Sequence, residues 1–154
     1  MKDYGKIAAE NFRNGYNCAQ SVMLTFAEDV GLSDEEALRL SSSFGGGMGR
    51  LREVCGAVSA MFMVAGFLRG YTTPNDDVIK AKHYEFIQSL AGKFKEKHET
   101  IICRELLGLD GESFSPVPSK RTEEYYATRP CEMFIKTAAE IVASEILTES
   151  KNCI

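Results

Sequence analysis

The sequence lacks a segment long and apolar enough to span a membrane. Its longest uncharged run, residues 54–68, is shorter than the ~20 apolar residues that a helix needs to cross a bilayer. The N-terminal stretch MKDYGKIAAENF carries charges and contains no apolar core, so we expect no signal peptide. Together these absences predict a cytoplasmic protein that is not membrane-spanning.

A strongly basic surface is also missing. The chain has 18 Lys and Arg against 22 Asp and Glu, which gives a net charge of −4. The basic residues are scattered, apart from a KFKEKHE run that is typical of a solvated helix face. Because nucleic-acid-binding proteins carry clustered positive charge, we expect no nucleic-acid partner.

The familiar local cysteine motifs are absent. The sequence contains five cysteines but no C-x-x-C, which excludes a thioredoxin-type pair and a zinc ribbon. A disulfide framework is not expected in a reducing compartment. Cys153 lies next to the C-terminus, and we treat it as incidental. Any site that joins the other cysteines must therefore be assembled by tertiary folding.

Strand patterns are absent as well, and helical spacing takes their place. Apolar residues recur at helical intervals along almost the whole chain, which predicts one all-α domain over residues 1–154. We expect a bundle of six or seven helices. They cover residues 3–14, 18–31, 33–44, 53–69, 76–97 and 101–108, with a last helix that starts around Pro130. The long fifth helix has a predicted apolar face of Ile79, His83, Ile87, Leu90 and Phe94.

Four cysteines fall at predicted helix N-termini, where Asn17 and Thr100 are the expected N-caps. They are Cys18, Cys55, Cys103 and Cys131. Unpaired backbone N–H groups at a helix start stabilise anions, so they favour the thiolate that attacks disulfides and binds metals. Nearby arginines are expected to strengthen this effect: Arg50, Arg52, Arg104 and Arg129. In the alternative interpretation, the cysteines are small apolar residues that fill a helical core.

A glycine run, FGGGMG, precedes Cys55. It is not a phosphate-binding loop, because the lysine and hydroxyl of G-x-x-x-x-G-K-[ST] are missing. We predict instead that its backbone N–H groups approach the Cys55 sulfur and any metal bound there. The predicted cofactor-binding residues are Gly45, Gly46, Gly47, Gly49 and Gly56. The alternative is a mobile or tightly turned connector.

Taken together, the cysteines and the glycine block resemble a known family. Cys18, the block GGGMGRLREVCGAVSA, Cys103 and Cys131 are similar to the C_GCAxxG_C_C family of redox-active proteins over nearly the whole chain. Ala60 stands where the family motif has its closing glycine, a departure that bears on local packing more than on chemistry. The resemblance implies a redox class. It also implies an iron–sulfur connection, since a related domain in split-Soret cytochromes is associated with such a centre.

Three hypotheses follow for the four cysteines. In the first, they converge and bind a metal, either a [2Fe–2S] cluster or zinc, for electron transfer. In the second, paired cysteines cycle between dithiol and disulfide, as an enzyme or a sensor. In the third, they are inert parts of a helical interaction protein. We expect an electron-transfer or thiol partner whose identity the sequence does not give, and we predict a homodimer. His98 is close enough in sequence to reach the Cys103 site, but we expect it at the surface.

Overall fold

A computed structural model describes residues 1–109 and 115–148. Within these ranges the chain forms eight regular α-helices and no strand, which confirms the all-α prediction. The helices are α1 (Tyr4–Arg13), α2 (Cys18–Thr25), α3 (Asp34–Ser41), α4 (Gly56–Arg69), α5 (Asp77–His98), α6 (Cys103–Leu106), α7 (Glu123–Thr128) and α8 (Cys131–Val142). A 3₁₀ turn, Ser42–Phe44, follows α3, and a π-helical turn, Ala143–Leu147, extends α8.

Helices α2 and α3 both begin with a capping residue, and the cap of α2 is Asn17, as the sequence predicts. The side chain of Asn17 accepts from the backbone N–H of Gln20, and the Gln20 side chain accepts from the N–H of Asn17. Ser33 and Glu36 form the same reciprocal capping box at the start of α3. These local bonds satisfy N–H groups that would otherwise lack a partner, so α2 begins at Cys18.

The predicted cap of α6 is wrong by two residues. Ile102, and not Thr100, directly precedes the helix. The Thr100 hydroxyl instead accepts from the N–H of Ile102 at 3.1 Å, so it closes the turn before the helix. Cys103 is consequently the first residue of α6 and lies closer to its N-terminus than predicted.

Helices α1, α2, α4 and α8 enclose the hydrophobic core. The largest side chains without solvent exposure in this core include Phe12, Phe26, Met23, Met61 and Ile135. Burying one such side chain contributes about 1.5–3 kcal/mol to folding. Helix α4, which is apolar and carries no charge before Arg69, lies at the centre, as predicted from its composition. Among the described residues, no helix combines the length and apolarity needed to cross a bilayer.

Helix α5 is only partly buried, contrary to the prediction of a continuous apolar face. Leu90 and Phe94 are buried, but Ile79 is 42% exposed. The core therefore reaches only the second half of this helix. Phe67, near the end of α4, is 55% exposed. The homodimer remains a prediction.

Helix α7 is missing from the sequence-based prediction. Thr122 caps it by accepting from the N–H of Tyr125. Pro130 ends it, since the residue before a proline is kept out of the helical region, and Arg129 is extended with φ −85° and ψ 126°. Between these two signals the helix spans only Glu123–Thr128, too short to show a helical repeat.

Candidate functional site

Four helix N-termini meet at one cavity of about 430 Å³, and each brings a cysteine to its wall. Three of these cysteines are the first residues of their helices, and the fourth directly precedes α4. The four are free thiols: Cys18, half-buried, and Cys55, Cys103 and Cys131, buried. The sequence prediction placed the same four residues at helix starts, and the structure brings them together around this cavity.

Backbone pairing holds Cys55 and Cys103 side by side. The N–H of Cys55 donates to the carbonyl of Ile101 at 2.8 Å, and the N–H of Cys103 donates to the carbonyl of Glu53 at 2.6 Å. A single antiparallel bridge lies between these bonds. Two segments distant in sequence are thereby joined, although each is too short to show an alternating pattern.

Arg104 reinforces this pairing and does not line the cavity. Its Nε donates to the carbonyl of Arg52 at 3.2 Å, and its Nη2 forms an ion pair with Oε1 of Glu53 at 2.7 Å. The expectation that Arg104 adds positive charge around the cysteines is therefore wrong. Its charge is balanced by a carboxylate outside the site.

The glycine run forms a left-handed turn. Every residue from 46 to 50 has positive φ, between 60° and 71°, including Met48 and Arg50. A non-glycine residue in this conformation costs about 1–2 kcal/mol, so the turn stores strain next to the thiols. Gly47 is required for a second reason, because a Cβ there would lie 2.6 Å from the Cβ of Cys103.

The glycine at the start of α4 permits an equally close approach. A Cβ on Gly56 would lie 2.7 Å from the carbonyl oxygen of Phe44 and 3.2 Å from the Cβ of Cys18. Glycine at this position therefore lets the starts of α2 and α4 come together. The five predicted glycines all line the cavity: Gly45, Gly46, Gly47, Gly49 and Gly56. Cofactor binding by these glycines remains a prediction.

The thiols of Cys18 and Cys131 act on each other's ionisation. Hydrogen bonding between them is the largest cause that lowers the pKa of Cys131, to about 7. Burial opposes the shift, while the charges of Arg129 and Arg121 assist it. The same hydrogen bond raises the pKa of Cys18 well above its usual value, and burial adds to that rise. Cys131 is therefore the thiol that ionises near neutral pH.

The pKa values of Cys55 and Cys103 are raised, whereas that of Cys131 is lowered. Burial raises the pKa of Cys55 to about 12, against the weaker effect of the backbone N–H groups of Val58 and Ala57. These N–H groups belong to α4 itself, whereas the sequence prediction assigned the donors to the glycine run. Burial also raises the pKa of Cys103, although Arg52 opposes the rise with Nη1 3.7 Å from the sulfur.

Positive charge is concentrated at the cavity. Four arginines line it, and no Asp or Glu does among the described residues. They are Arg50, Arg52, Arg121 and Arg129. Burial lowers the pKa of Arg50, and the nearby charges of Arg52 and Arg129 lower it further. The site is therefore electropositive in a protein whose net charge is negative.

Arg121 is a site residue that sequence reasoning missed. Its two terminal nitrogens donate to the carbonyls of Phe12 and Tyr16, each at 3.1 Å, which holds the guanidinium 4.3 Å from the Phe12 ring centroid. Tyr125 lies between Arg121 and Arg129, with guanidinium-to-centroid distances of 5.0 and 5.4 Å. These contacts join residues far apart in sequence, so no local motif predicts them.

The comparison with family models adds a classification to this geometry. The model described as "Putative redox-active protein (C_GCAxxG_C_C)" matches residues 16–145, which include the four cavity cysteines and the glycine run. The chain belongs to this family. Searches of curated proteins and of solved structures found no match. The C_GCAxxG_C_C family assignment confirms the resemblance found in the sequence and supports a redox class without naming a reaction.

The structure shows where the chain departs from the C_GCAxxG_C_C motif. Ala60 occupies the position of the closing glycine, lies in α4 and has no solvent exposure. It belongs to the hydrophobic core, whereas Cys55 lies at the cavity. The substitution therefore affects packing within the bundle, as the sequence predicts.

The donors of the described residues are not gathered as a metal site requires. Zinc or a cluster needs sulfurs converging at bonding distance, about 2.3 Å from zinc. Within the ranges that the structure describes, no group of three or more Cys, His, Asp or Glu side chains is arranged to hold a metal ion. His98 is half-buried and does not itself line the cavity; its Nε2 lies 2.8 Å from Oγ1 of Thr137, and its ring packs edge-on against Phe134 of the cavity wall at a centroid distance of 4.8 Å. Cys153 lies outside the described residues. The [2Fe–2S] cluster and zinc remain untested predictions.

Proposed function

We propose that this protein exchanges thiols and disulfides, with Cys131 as the attacking thiolate and Cys18 as the resolving thiol. The observation that carries the proposal is that Cys18 and Cys131 line the same cavity, where each has the largest influence on the other's pKa and the two values are driven apart. An attacking thiol is most effective when its pKa is near the ambient pH, and Cys131 meets that condition at about 7. A resolving thiol must lie next to the first sulfur, and Cys18 does.

The reaction balances with one external disulfide. The Cys131 thiolate attacks a sulfur of the substrate, forms a mixed disulfide and releases one thiolate, which takes up a proton. Cys18 then loses its proton and attacks the Cys131 sulfur, so that the second substrate thiolate leaves and a Cys18–Cys131 disulfide forms. Two electrons pass from the protein to the substrate. A dithiol, or two molecules of a small thiol, returns the protein to its reduced state.

In this proposal, Cys55 and Cys103 are neutral thiols at neutral pH and take no part in the exchange. Their raised pKa values leave little thiolate, and the backbone pairing between them fixes the cavity wall. The pair thus differs from Cys18 and Cys131 in role as well as in acidity.

Trapping the intermediate tests the proposal. A small disulfide is added to the reduced Cys18→Ser variant, and intact mass and peptide mapping locate the adduct. We expect a stable mixed disulfide on Cys131, an intramolecular Cys18–Cys131 disulfide in the natural sequence, and unchanged chemistry in the matched Cys55→Ser variant. An adduct confined to Cys55 or Cys103 would contradict the assignment. Stoichiometric iron and sulfide in anaerobically purified protein would favour the cluster hypothesis instead.

A further inference from the structure

The cavity charge is unusual because no acidic side chain among the described residues balances it. Four arginines line the wall, and no acidic side chain does so within the described ranges. None of the four forms an ion pair with a carboxylate in that part of the chain. Cations forced together repel one another, and an anion from outside would relieve that repulsion.

Arg52 shows that the cavity is built for an acceptor. Its side chain is only 8% exposed, and its Nε is buried without a hydrogen-bond partner among the described residues. The recorded contact of its guanidinium is with the Cys103 sulfur, a weak acceptor, at 3.7 Å. Buried guanidinium groups in proteins are normally paired and hydrogen-bonded. Arg52 departs from this pattern, because no carboxylate of the described residues pairs with it.

The contrast with other arginines supports this conclusion. Arg104 donates to a carbonyl and forms an ion pair with Glu53, and Arg121 donates to two carbonyls. Their hydrogen-bonding groups serve the fold. Arg52 is more deeply buried than Arg104, yet it lacks comparable partners among the described residues. Its placement is therefore explained better by a ligand than by folding.

We propose that the cavity binds a small, carboxylate-bearing disulfide, whose anionic group Arg52 and Arg129 hold while its sulfur meets Cys131. This inference rests on the proposed thiol–disulfide exchange and names the substrate class for that site. A carboxylate matches the planar fork of a guanidinium, which can donate two parallel hydrogen bonds to it. The cavity volume of about 430 Å³ lies within the range typical of small-molecule sites, ~300–1,000 Å³.

The arginines also serve the chemistry of this substrate. When the Cys131 thiolate attacks, the substrate S–S bond breaks and the departing sulfur carries the electron pair as a thiolate. Nearby guanidinium groups stabilise this developing negative charge, because they are fixed in place before the reaction begins. The released thiol keeps its carboxylate, which the same arginines can still hold until it leaves.

A pair of disulfide probes of opposite character tests the assignment. Dithiobis(nitrobenzoate) is an aromatic disulfide with two carboxylates, and dithiodipyridine is a neutral aromatic disulfide. The rate of reaction at Cys131 is measured with each probe, on the full chain, so that every acidic residue is present. The readout is the ratio of the two rates, because any change in Cys131 acidity alters both rates and largely cancels.

We expect Arg52→Gln to lower the ratio of anionic to neutral probe roughly tenfold or more, since a hydrogen bond to a charged group is lost. Arg129→Gln, at a half-buried position, should lower it in the same direction and serves as the second variant if Arg52→Gln does not fold. The exposed Arg39, which pairs with Glu35 on α3, supplies the control: Arg39→Gln should leave the ratio unchanged. In the unmodified protein, added salt should slow the anionic probe more than the neutral one.

The possible failures are distinguishable. If Cys131 reacts with both probes but neither arginine substitution changes their ratio, the substrate class is wrong and thiol exchange stands. If Cys131 reacts with neither probe, thiol exchange itself fails, and the substrate class fails with it. Faster reaction with a disulfide-bonded protein than with both probes would overturn the assignment to a small molecule.

Discussion

Two pairs of cysteines share one cavity and differ in almost everything except their position on helices. Cys18 and Cys131 act on each other's ionisation, and the pKa of Cys131 falls to about 7. Cys55 and Cys103 are joined through their backbones, and the pKa of Cys55 rises to about 12. All four lie at helix N-termini. Location at a helix N-terminus therefore does not by itself decide whether a thiol is reactive.

Magnitudes explain why. The helix dipole contributes about 0.3–1 kcal/mol at an exposed N-terminus and up to ~2 kcal/mol where burial is partial. The fall from 9.0 to about 7 at Cys131 corresponds to about 3 kcal/mol, and the rise to about 12 at Cys55 corresponds to about 4 kcal/mol. Desolvation therefore outweighs the dipole at Cys55. At Cys131, a sulfur donor and nearby arginines outweigh the desolvation.

The largest expected effect is the loss of reactivity in Cys131→Ser. At neutral pH, the thiolate fraction of Cys55 is lower than that of Cys131 by roughly 10⁵, while the greater nucleophilicity of a high-pKa thiolate recovers roughly 10². Alkylation by iodoacetamide, followed separately at each cysteine by peptide mapping, should therefore be about 10³-fold faster at Cys131 than at Cys55, so Cys131→Ser should remove this fast reaction and Cys55→Ser should leave it unchanged. Equal losses in the two variants would erase the distinction between the pairs.

A stability change is the next largest effect, and it concerns the wall behind Cys103. In Gly47→Ala, the left-handed backbone costs about 1–2 kcal/mol, and the Cβ contact at 2.6 Å adds about 1–3 kcal/mol of overpacking. Gly31→Ala is the matched control, since Gly31 has φ +73° and nothing within 4 Å of a Cβ. Urea unfolding should show the larger loss in Gly47→Ala. Equal losses would mean that the close approach to Cys103 carries no energy.

Alkaline pH should destabilise the protein through Cys55. Its folded pKa, about 12, exceeds the ordinary 9.0, so the folded thiol keeps a proton that the unfolded chain releases. The stability it contributes is present below pH 9.0 and is lost between pH 9.0 and about 12, at ~1.4 kcal/mol per pH unit. Between about pH 8 and about pH 10.5, Cys55→Ala should lose about 2 kcal/mol less than the natural sequence.

The control for this experiment is Arg39→Gln. It changes an exposed residue on α3 and leaves every thiol in place, so it should retain the full alkaline loss. Urea unfolding at both pH values measures all three proteins. The same alkaline loss in Cys55→Ala and in the natural sequence would argue that Cys55 is more accessible to water than its burial indicates.

The smallest effect is a shift in a titration midpoint. Cys18→Ala removes the sulfur donor, so the pKa of Cys131 should rise from about 7 by roughly one unit. The alkylation rate of Cys131 as a function of pH measures this midpoint, and Cys103→Ala is the control. A midpoint that stays near 7 in Cys18→Ala would assign the low pKa to the arginines alone.

Several features of the fold and of the site can be predicted from short stretches. Asn17 with Gln20, and Pro130 before Cys131, mark helix starts through bonds and torsions within a few residues. The positions of Cys18 and Cys131 at helix N-termini follow from such signals. The all-α class follows from helical spacing, because each helix must place apolar residues on the side that faces its neighbours.

Other features escape this kind of prediction. Arg121 reaches the cavity through carbonyls more than a hundred positions earlier in the chain. The Cys55 and Cys103 segments pair over only a few residues, and the left-handed turn at 46–50 includes Met48, which rarely adopts that conformation. Each depends on contacts between distant segments, which no local pattern records.

The sequence alone determines where helices such as α2 and α8 begin, because a cap or a proline acts within one turn of its own position. It therefore also determines that Cys18 and Cys131 lie at helix N-termini. The acidity of each thiol is decided by the packing of the bundle. The tertiary structure determines which sulfur has a hydrogen-bond donor beside it, which sulfur is buried away from water, and which arginines line the cavity. Desolvation and charge act through space and not along the chain, so equivalent helix positions acquire opposite reactivity.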